Sequence, residues 1–146
     1  MDSMKGKDEM DKVITGGCLC GVVRYEYAGE VGESSYCHCD DCKRATGGPY
    51  TVGVVSVAAR LRIVRGKVKG YATKADSGRN ITREFCPECG SPLFTRAEKC
   101  PDLVFIKAGS LDNPEVVRPS CQTWTERAVP WAYIDEHLPR YPKGRP

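Results

Sequence analysis

Seven of the nine cysteines in this chain fall into three short clusters: Cys18-Leu19-Cys20, Cys37-His38-Cys39-Asp40-Asp41-Cys42 and Cys86-Pro87-Glu88-Cys89. Thiols spaced this closely fold a chain around metal ions more often than they pair as disulfides in a reducing compartment, and the odd count fits metal better. Seven is also an awkward number for tetrahedral zinc. A closed structural site takes four ligands, whereas a catalytic site holds zinc with three and leaves one position open.

The strongest knuckle is Cys86-Pro87-Glu88-Cys89-Gly90, where proline in the loop and glycine after it help both sulfurs turn inward. It needs two further ligands, and Cys18 and Cys20 are suited to supply them. A metal joining positions so distant in sequence closes a long loop, so its loss is expected to unfold the chain. The central cluster then offers Cys37, Cys39 and Cys42 to a second zinc with an open position. The competing scheme closes that site with His38 or an aspartate. Against it, the middle side chain of an extended Cys-x-Cys stretch points away from the side where its neighbours converge. Asp40 and Asp41 read as solvated, or as hydrogen-bonding the ligands.

Length and composition narrow the rest. The 146 residues, 40% hydrophobic and only 8% aromatic, suffice for one domain whose core rests on Val, Ile and Leu. The formal charge of +3 counts every cysteine as neutral; two zincs and seven thiolates bring it to roughly zero. That removes most of the case for nucleic acid, which is held by a positive face and phosphate contacts. No apolar run approaches the ~20 residues that span a bilayer, and residues 1–12 are charged, without the apolar stretch of a secretory signal. They are expected to be a disordered leader to a single zinc-binding domain over 13–146, in the cytoplasm and away from membranes.

Along the chain the period is that of strands. Val23, Tyr25 and Tyr27 alternate with Arg24 and Glu26, predicting a half-buried strand. Thr51 to Ala58 is Val-rich and reads as a strand buried on both faces; Leu61 and Ile63 alternate with arginines in the strand after it. Val68 to Thr73 and Ile81 to Phe85 flank Asp76-Ser77-Gly78-Arg79-Asn80 and form an expected hairpin. Leu93-Phe94 and Leu103 to Ile106 add two more strands. Only Cys42 to Thr46 predicts a turn of helix, stopped by Gly47-Gly48-Pro49. The fold class is mainly β, with about eight strands and little helix.

Three thiolates leave a zinc dication with a net negative charge, making it a weaker Lewis acid than the three-histidine sites that lower bound water to a pKa near ~7. Such a soft centre suits another sulfur, and a thiol bound there becomes a thiolate still nucleophilic toward a small electrophilic carbon.

Four motifs carry a resemblance: Gly16-Gly17-Cys18-Leu19-Cys20-Gly21, the run Cys37 to Arg44, Phe85-Cys86-Pro87-Glu88-Cys89-Gly90-Ser91, and Gly109-Ser110-Leu111-Asp112. Together, over about residues 16 to 138, the chain resembles the glutathione-dependent formaldehyde-activating enzymes, a family with relatives such as centromere protein V. The resemblance implies a β-tent fold of stacked antiparallel sheets with zinc knuckles. It also implies a structural zinc on Cys18, Cys20, Cys86 and Cys89 and a catalytic zinc on Cys37, Cys39 and Cys42. The implied reaction is addition of the glutathione thiol to formaldehyde, a carbon-sulfur lyase activity. The alternative is a non-catalytic zinc module that binds protein or nucleic acid.

The remaining candidates have plainer readings. Lys43 and Arg44, beside the central cluster, and the basic stretch Arg60, Arg62, Arg65, Lys67 and Lys69 read as solvated charge. Trp124 and Trp131 are expected to pack into the core. Cys100 and Cys121 lie outside the zinc scheme and read as inert thiols.

Overall fold

A computed structural model describes residues 12–75 and 78–145. The chain is mainly β: ten strands make two sheets, and the longest helix has seven residues. The small sheet contains β1 (Val13–Gly17), β2 (Arg24–Ala28) and β5 (Leu61–Arg65), in the order β1-β2-β5. The large one contains β3 (Ser34–Cys37), β4 (Thr51–Val57), β6 (Lys69–Lys74), β7 (Asn80–Phe85), β8 (Pro92–Ala97), β9 (Leu103–Lys107) and β10 (Pro119–Thr123). Its order is β10-β3-β4-β9-β8-β7-β6. Every pairing is antiparallel except β10 with β3. Beside the expected antiparallel pairs, β10 runs parallel to β3, because it arrives from the far end of the chain rather than through a hairpin.

The two sheets pack over one core. Tyr25 and Tyr27 of β2 are 0% and 1% exposed, as their alternation requires, and they meet Val54, Phe94, Val104 and Ile106 of the large sheet. Tyr25 and Phe94 pack edge to face with ring centroids 5.0 Å apart. Both phenols find polar partners, as buried tyrosines must. Tyr25 donates to Ser110 Oγ at 2.7 Å, the Ser110 hydroxyl in turn donates to the Lys107 carbonyl, and Tyr27 Oη accepts from the Val57 amide at 2.9 Å. Phe94→Ala empties the meeting point of the sheets and is expected to cost about 3–5 kcal/mol; denaturant unfolding with an unchanged m-value is the check.

The other strands follow the sequence with local corrections. β4 is not buried on both faces: Thr51, Val54 and Ser56 are buried, but Val57 is 40% exposed, since only one face of the sheet is covered by the small sheet. β6 and β7 form the expected hairpin, from Lys74 opposite Asn80 to Lys69 opposite Phe85; Asp76 and Ser77 in its turn lie outside the described residues. So do residues 1–11 of the expected leader. Lys12 is held to the fold, its carbonyl accepting from the Gly29 amide at 2.7 Å. Trp131 is 73% exposed rather than core, because it falls beyond the last strand, after Tyr25, Tyr27 and Phe94 have filled the space between the sheets. Trp124 is half-buried. No helix among the described residues is long and apolar enough to cross a membrane.

Candidate metal centres

Two groups of sulfurs converge. Cys18, Cys20, Cys86 and Cys89 form one, Cys37, Cys39 and Cys42 the other, and within each group the Sγ atoms all lie within 4.8 Å of one another. No disulfide joins them.

The four-cysteine group is built from turns at the ends of strands in different sheets. Cys18 follows β1 of the small sheet, while Cys86 and Cys89 lie in the turn between β7 and β8 of the large one. Each knuckle ends in a glycine with positive φ, Gly21 at 82° and Gly90 at 77°, a conformation that L side chains resist. The loops also hold each other, since the Leu19 amide donates to Ser91 Oγ at 3.0 Å. Cys18 and Cys86 are buried and Cys20 is exposed.

Backbone amides point at these sulfurs: Val23 N to Cys18 Sγ at 3.2 Å, and Glu88 N and Cys89 N to Cys86 Sγ at 3.3 and 3.4 Å. Such donors favour thiolates, and the Ser91 hydroxyl at 3.1 Å from Cys89 Sγ brings the Cys89 thiol down to about 5. Zinc–sulfur bonds of ~2.3 Å place tetrahedral sulfurs ~3.8 Å apart. Cys18 to Cys20 is 3.6 Å and Cys20 to Cys86 is 3.8 Å, so the donor set fits zinc.

The second group is local. Cys37 is the last residue of β3, and Cys39 is the N-cap of helix α1 (Asp40–Thr46), its sulfur accepting from the Cys42 amide at 3.2 Å. The helix begins two residues earlier than the sequence indicates because Cys39 takes the capping role usually filled by Ser or Asp; Gly47 ends it as expected. Hydrogen bonds from the Cys39 and Cys42 thiols, the latter 3.3 Å away, hold the Cys37 thiol down to about 2, and the same hydrogen bonds to Cys37 push Cys39 up to about 11 and Cys42 above the usual thiol range. The set again fits a zinc ion, with three donors and no fourth His, Cys, Asp or Glu atom among the described residues.

His38 is turned the other way. It is 0% exposed, its Nε2 pairs with Gln122 Oε1 at 3.1 Å, and its ring packs edge-on to Tyr50. Asp40 pairs with Lys43 at 3.1 Å and Arg127 at 3.4 Å, and Lys43 also donates to the Arg127 carbonyl. Lys43 therefore fastens the helix rather than facing a ligand. Arg44 is exposed. Cys100 and Cys121 stay outside both groups, Cys121 buried at 1% exposure in β10. In the basic stretch, Arg62 pairs with Glu26 across β2 and β5.

Sequence reasoning missed a cavity of about 640 Å³. Its lining runs from Cys18 past Ser91 and Ser110 to Thr46, Tyr50, Thr51 and Lys107. Cys18 of the four-cysteine group lines it, and so does Thr51, the cross-strand partner of Cys37. Nothing periodic marks these residues; they come from both sheets and from turns between strands, and only Thr51 and Lys107 of those named lie on paired strands, β4 and β9.

Known proteins extend this picture. A family model described as Glutathione-dependent formaldehyde-activating enzyme matches residues 13–127. A Halomonas elongata protein named "Putative glutathione-dependent formaldehyde-activating enzyme" is 28% identical over 114 aligned residues, which cover 69% of this chain and 67% of that protein. Among solved structures, a crystal structure of a Rhodobacter sphaeroides protein superposes with a TM-score of 0.55 at 24% identity, over 69% of this chain and 92% of the other. That last likeness speaks for the fold alone.

Proposed function

The chain belongs to the glutathione-dependent formaldehyde-activating enzyme family, and from that membership we propose that it is a zinc-dependent enzyme joining a thiol, glutathione or one like it, to formaldehyde or another small carbonyl. The observation that carries the reading is the three-sulfur group: Cys37, Cys39 and Cys42 converge without His38, whose Nε2 pairs with Gln122. In this reading Cys18, Cys20, Cys86 and Cys89 hold one zinc as a staple, and Cys37, Cys39 and Cys42 hold a second with a vacant position. Held by Cys37, Cys39 and Cys42, a zinc ion would supply the Lewis acidity that favours the thiolate of a bound thiol while leaving it nucleophilic.

The chain's own residues set the stage for this chemistry. The end of β3 and the first turn of α1 fix the three sulfurs, and the Cys42 amide on Cys39 Sγ stabilises its charge. The His38–Gln122 pair locks β3 to β10 beneath them, and the Lys43 contacts anchor the helix. In the overall reaction the thiol S–H is lost, a carbon–sulfur bond forms, the carbonyl π pair moves to oxygen and a proton ends there. The reverse breaks the same bond, a carbon-sulfur lyase reaction.

Metal analysis and thiol titration test this. Two zincs per chain are expected, and in protein with cobalt replacing zinc, 2-mercaptoethanol should shift the sulfur-to-cobalt absorption of one site only. One metal per chain, or two with spectra indifferent to thiols, would instead favour a non-catalytic zinc module.

A further inference from the structure

Each sheet has two outer edges, and the chain covers one edge of each. In the large sheet β10 is covered by the C-terminal segment: the Gln122 amide donates to the Pro139 carbonyl and the Tyr141 amide to the Gln122 carbonyl, both at 2.9 Å, around a parallel bridge of Gln122 with Arg140. In the small sheet β1 is covered by Leu111 and Asp112. Gly16 bridges Leu111, and the Asp112 amide donates to the Thr15 carbonyl at 3.0 Å. The other two edges, β5 and β6, make no backbone hydrogen bond on their outer sides among the described residues.

These open edges adjoin. Only Gly66-Lys67-Val68 separates β5 from β6, and Gly66, at φ 76°, turns the chain between them. Five of the six residues of β6 are exposed, among them Tyr71 at 64%. An edge strand presents a row of unpaired N–H and C=O groups that recruits further strands unless something guards it. The guard here is positive charge. Residues 60–74 hold six Lys and Arg and no Asp or Glu. Arg60, Arg65, Lys67 and Lys69 are exposed, and of the six cations Arg62 alone pairs with a carboxylate among the described residues. Such a guard is one-sided: it repels another copy of this edge and any basic strand, whereas an acidic strand finds opposite charges across the pairing.

From this contrast between covered and open edges we propose that β6 is a docking edge for an acidic, extended segment of a partner protein. The segment adds to the large sheet as a further strand, its main chain bonded to β6 and its carboxylates on Arg65, Lys67 and Lys69. A strand edge offers main-chain groups, while nucleic acid needs stacking platforms, and Tyr71 is the single exposed aromatic on the two open strands. A polypeptide therefore fits this edge better. Four strands lie between β6 and β3, which carries Cys37, so the docking edge stands apart from the thiol-adding reading and does not depend on it.

Fluorescence anisotropy on the metal-loaded chain tests the proposal, with a labelled alternating Glu-Val peptide as long as β6. Such a strand puts its carboxylates on one face and its valines on the other. Saturable binding is expected, weakened ~10-fold or more when Lys67→Glu and Lys69→Glu are combined, since two ion pairs turn into repulsions. Lys67→Gln with Lys69→Gln, which removes the charges without reversing them, serves if the reversed variant folds poorly and should weaken binding severalfold. An alternating Glu-Pro peptide of equal charge should not bind, because proline lacks the amide and is kept out of strand ladders. Amide hydrogen exchange should slow in β6 on binding the Glu-Val peptide and stay unchanged in β10. Failure of the Glu-Val peptide to bind, or binding indifferent to the lysine substitutions, overturns the proposal. So does equal binding of the Glu-Pro peptide, or exchange unchanged in β6, either of which reduces the edge to a charged surface. Tighter binding of an oligothymidylate of equal charge overturns it in favour of a nucleic-acid face.

Discussion

Cys86→Ser is expected to leave the chain unfolded at 37 °C, not folded and inactive. Cys86 is 0% exposed and its sulfur accepts two backbone amides, so its loss both removes a ligand and disturbs the β7–β8 turn. The larger effect is topological. The four-cysteine group ties the end of β1 to the start of β8, elements of different sheets. Structural zinc contributes on the order of 10–16 kcal/mol in small zinc domains, comparable with or larger than the ~5–15 kcal/mol by which whole domains are stable. A site deprived of one thiolate retains only part of that. Circular dichroism during heating is the measurement: wild type loses its cooperative transition in excess chelator, and Cys86→Ser lacks it from the start. Cys100→Ser, outside both groups, serves as the control and should melt within a few degrees of wild type. A cooperative Cys86→Ser transition at the wild-type temperature would refute the staple.

Cys42→Ser should behave in the opposite way. Its three-sulfur group spans only six residues, from the end of β3 into the first turn of α1, and closes no long loop, so the metal there adds little to global stability. One zinc per chain is expected to disappear, the 2-mercaptoethanol response in cobalt protein to vanish, and the melting transition to move by only a few degrees, corresponding to about 1 kcal/mol. Thiol addition to formaldehyde should fall at least ~10³-fold, equivalent to about 4 kcal/mol of transition-state stabilisation. Retained thiol ligation in Cys42→Ser would remove this group from the reaction. Unfolding as complete as that of Cys86→Ser would make both groups staples.

The contrast between the two variants depends on where the cysteines lie relative to strand pairing, and here sequence and structure contribute unequally. The cluster spacings foretold which sulfurs converge, because Cys-x-Cys and Cys-x-x-Cys turns are local and their glycines mark the positive φ they need. The alternation around Tyr25 and Tyr27 likewise marked the inner face of β2. β10 gave no such signal: Pro119-Ser-Cys-Gln-Thr is polar and short, and its buried residues are covered through pairing with β3 and through the C-terminal segment, where the Gln122 amide donates to the Pro139 carbonyl.

His38 shows the same division. Its turning away from the sulfurs followed from the two-residue period of an extended chain, but its partner, Gln122, lies 84 positions away, and only the parallel β3–β10 pair brings them together. Trp131 went the other way, since a large aromatic is drawn inward only where space remains, and the space between the sheets was already filled.

By itself, then, the sequence determined the strand-rich class, the three cysteine-bearing turns and the length of helix α1 to within two residues, all set by contacts between near neighbours. Tertiary structure decided that one group bridges two sheets while the other stays within a single turn. The bridge arises because β1 of the small sheet ends beside the β7–β8 turn of the large one, and such placement is fixed by how whole faces bury together rather than by any local run of residues.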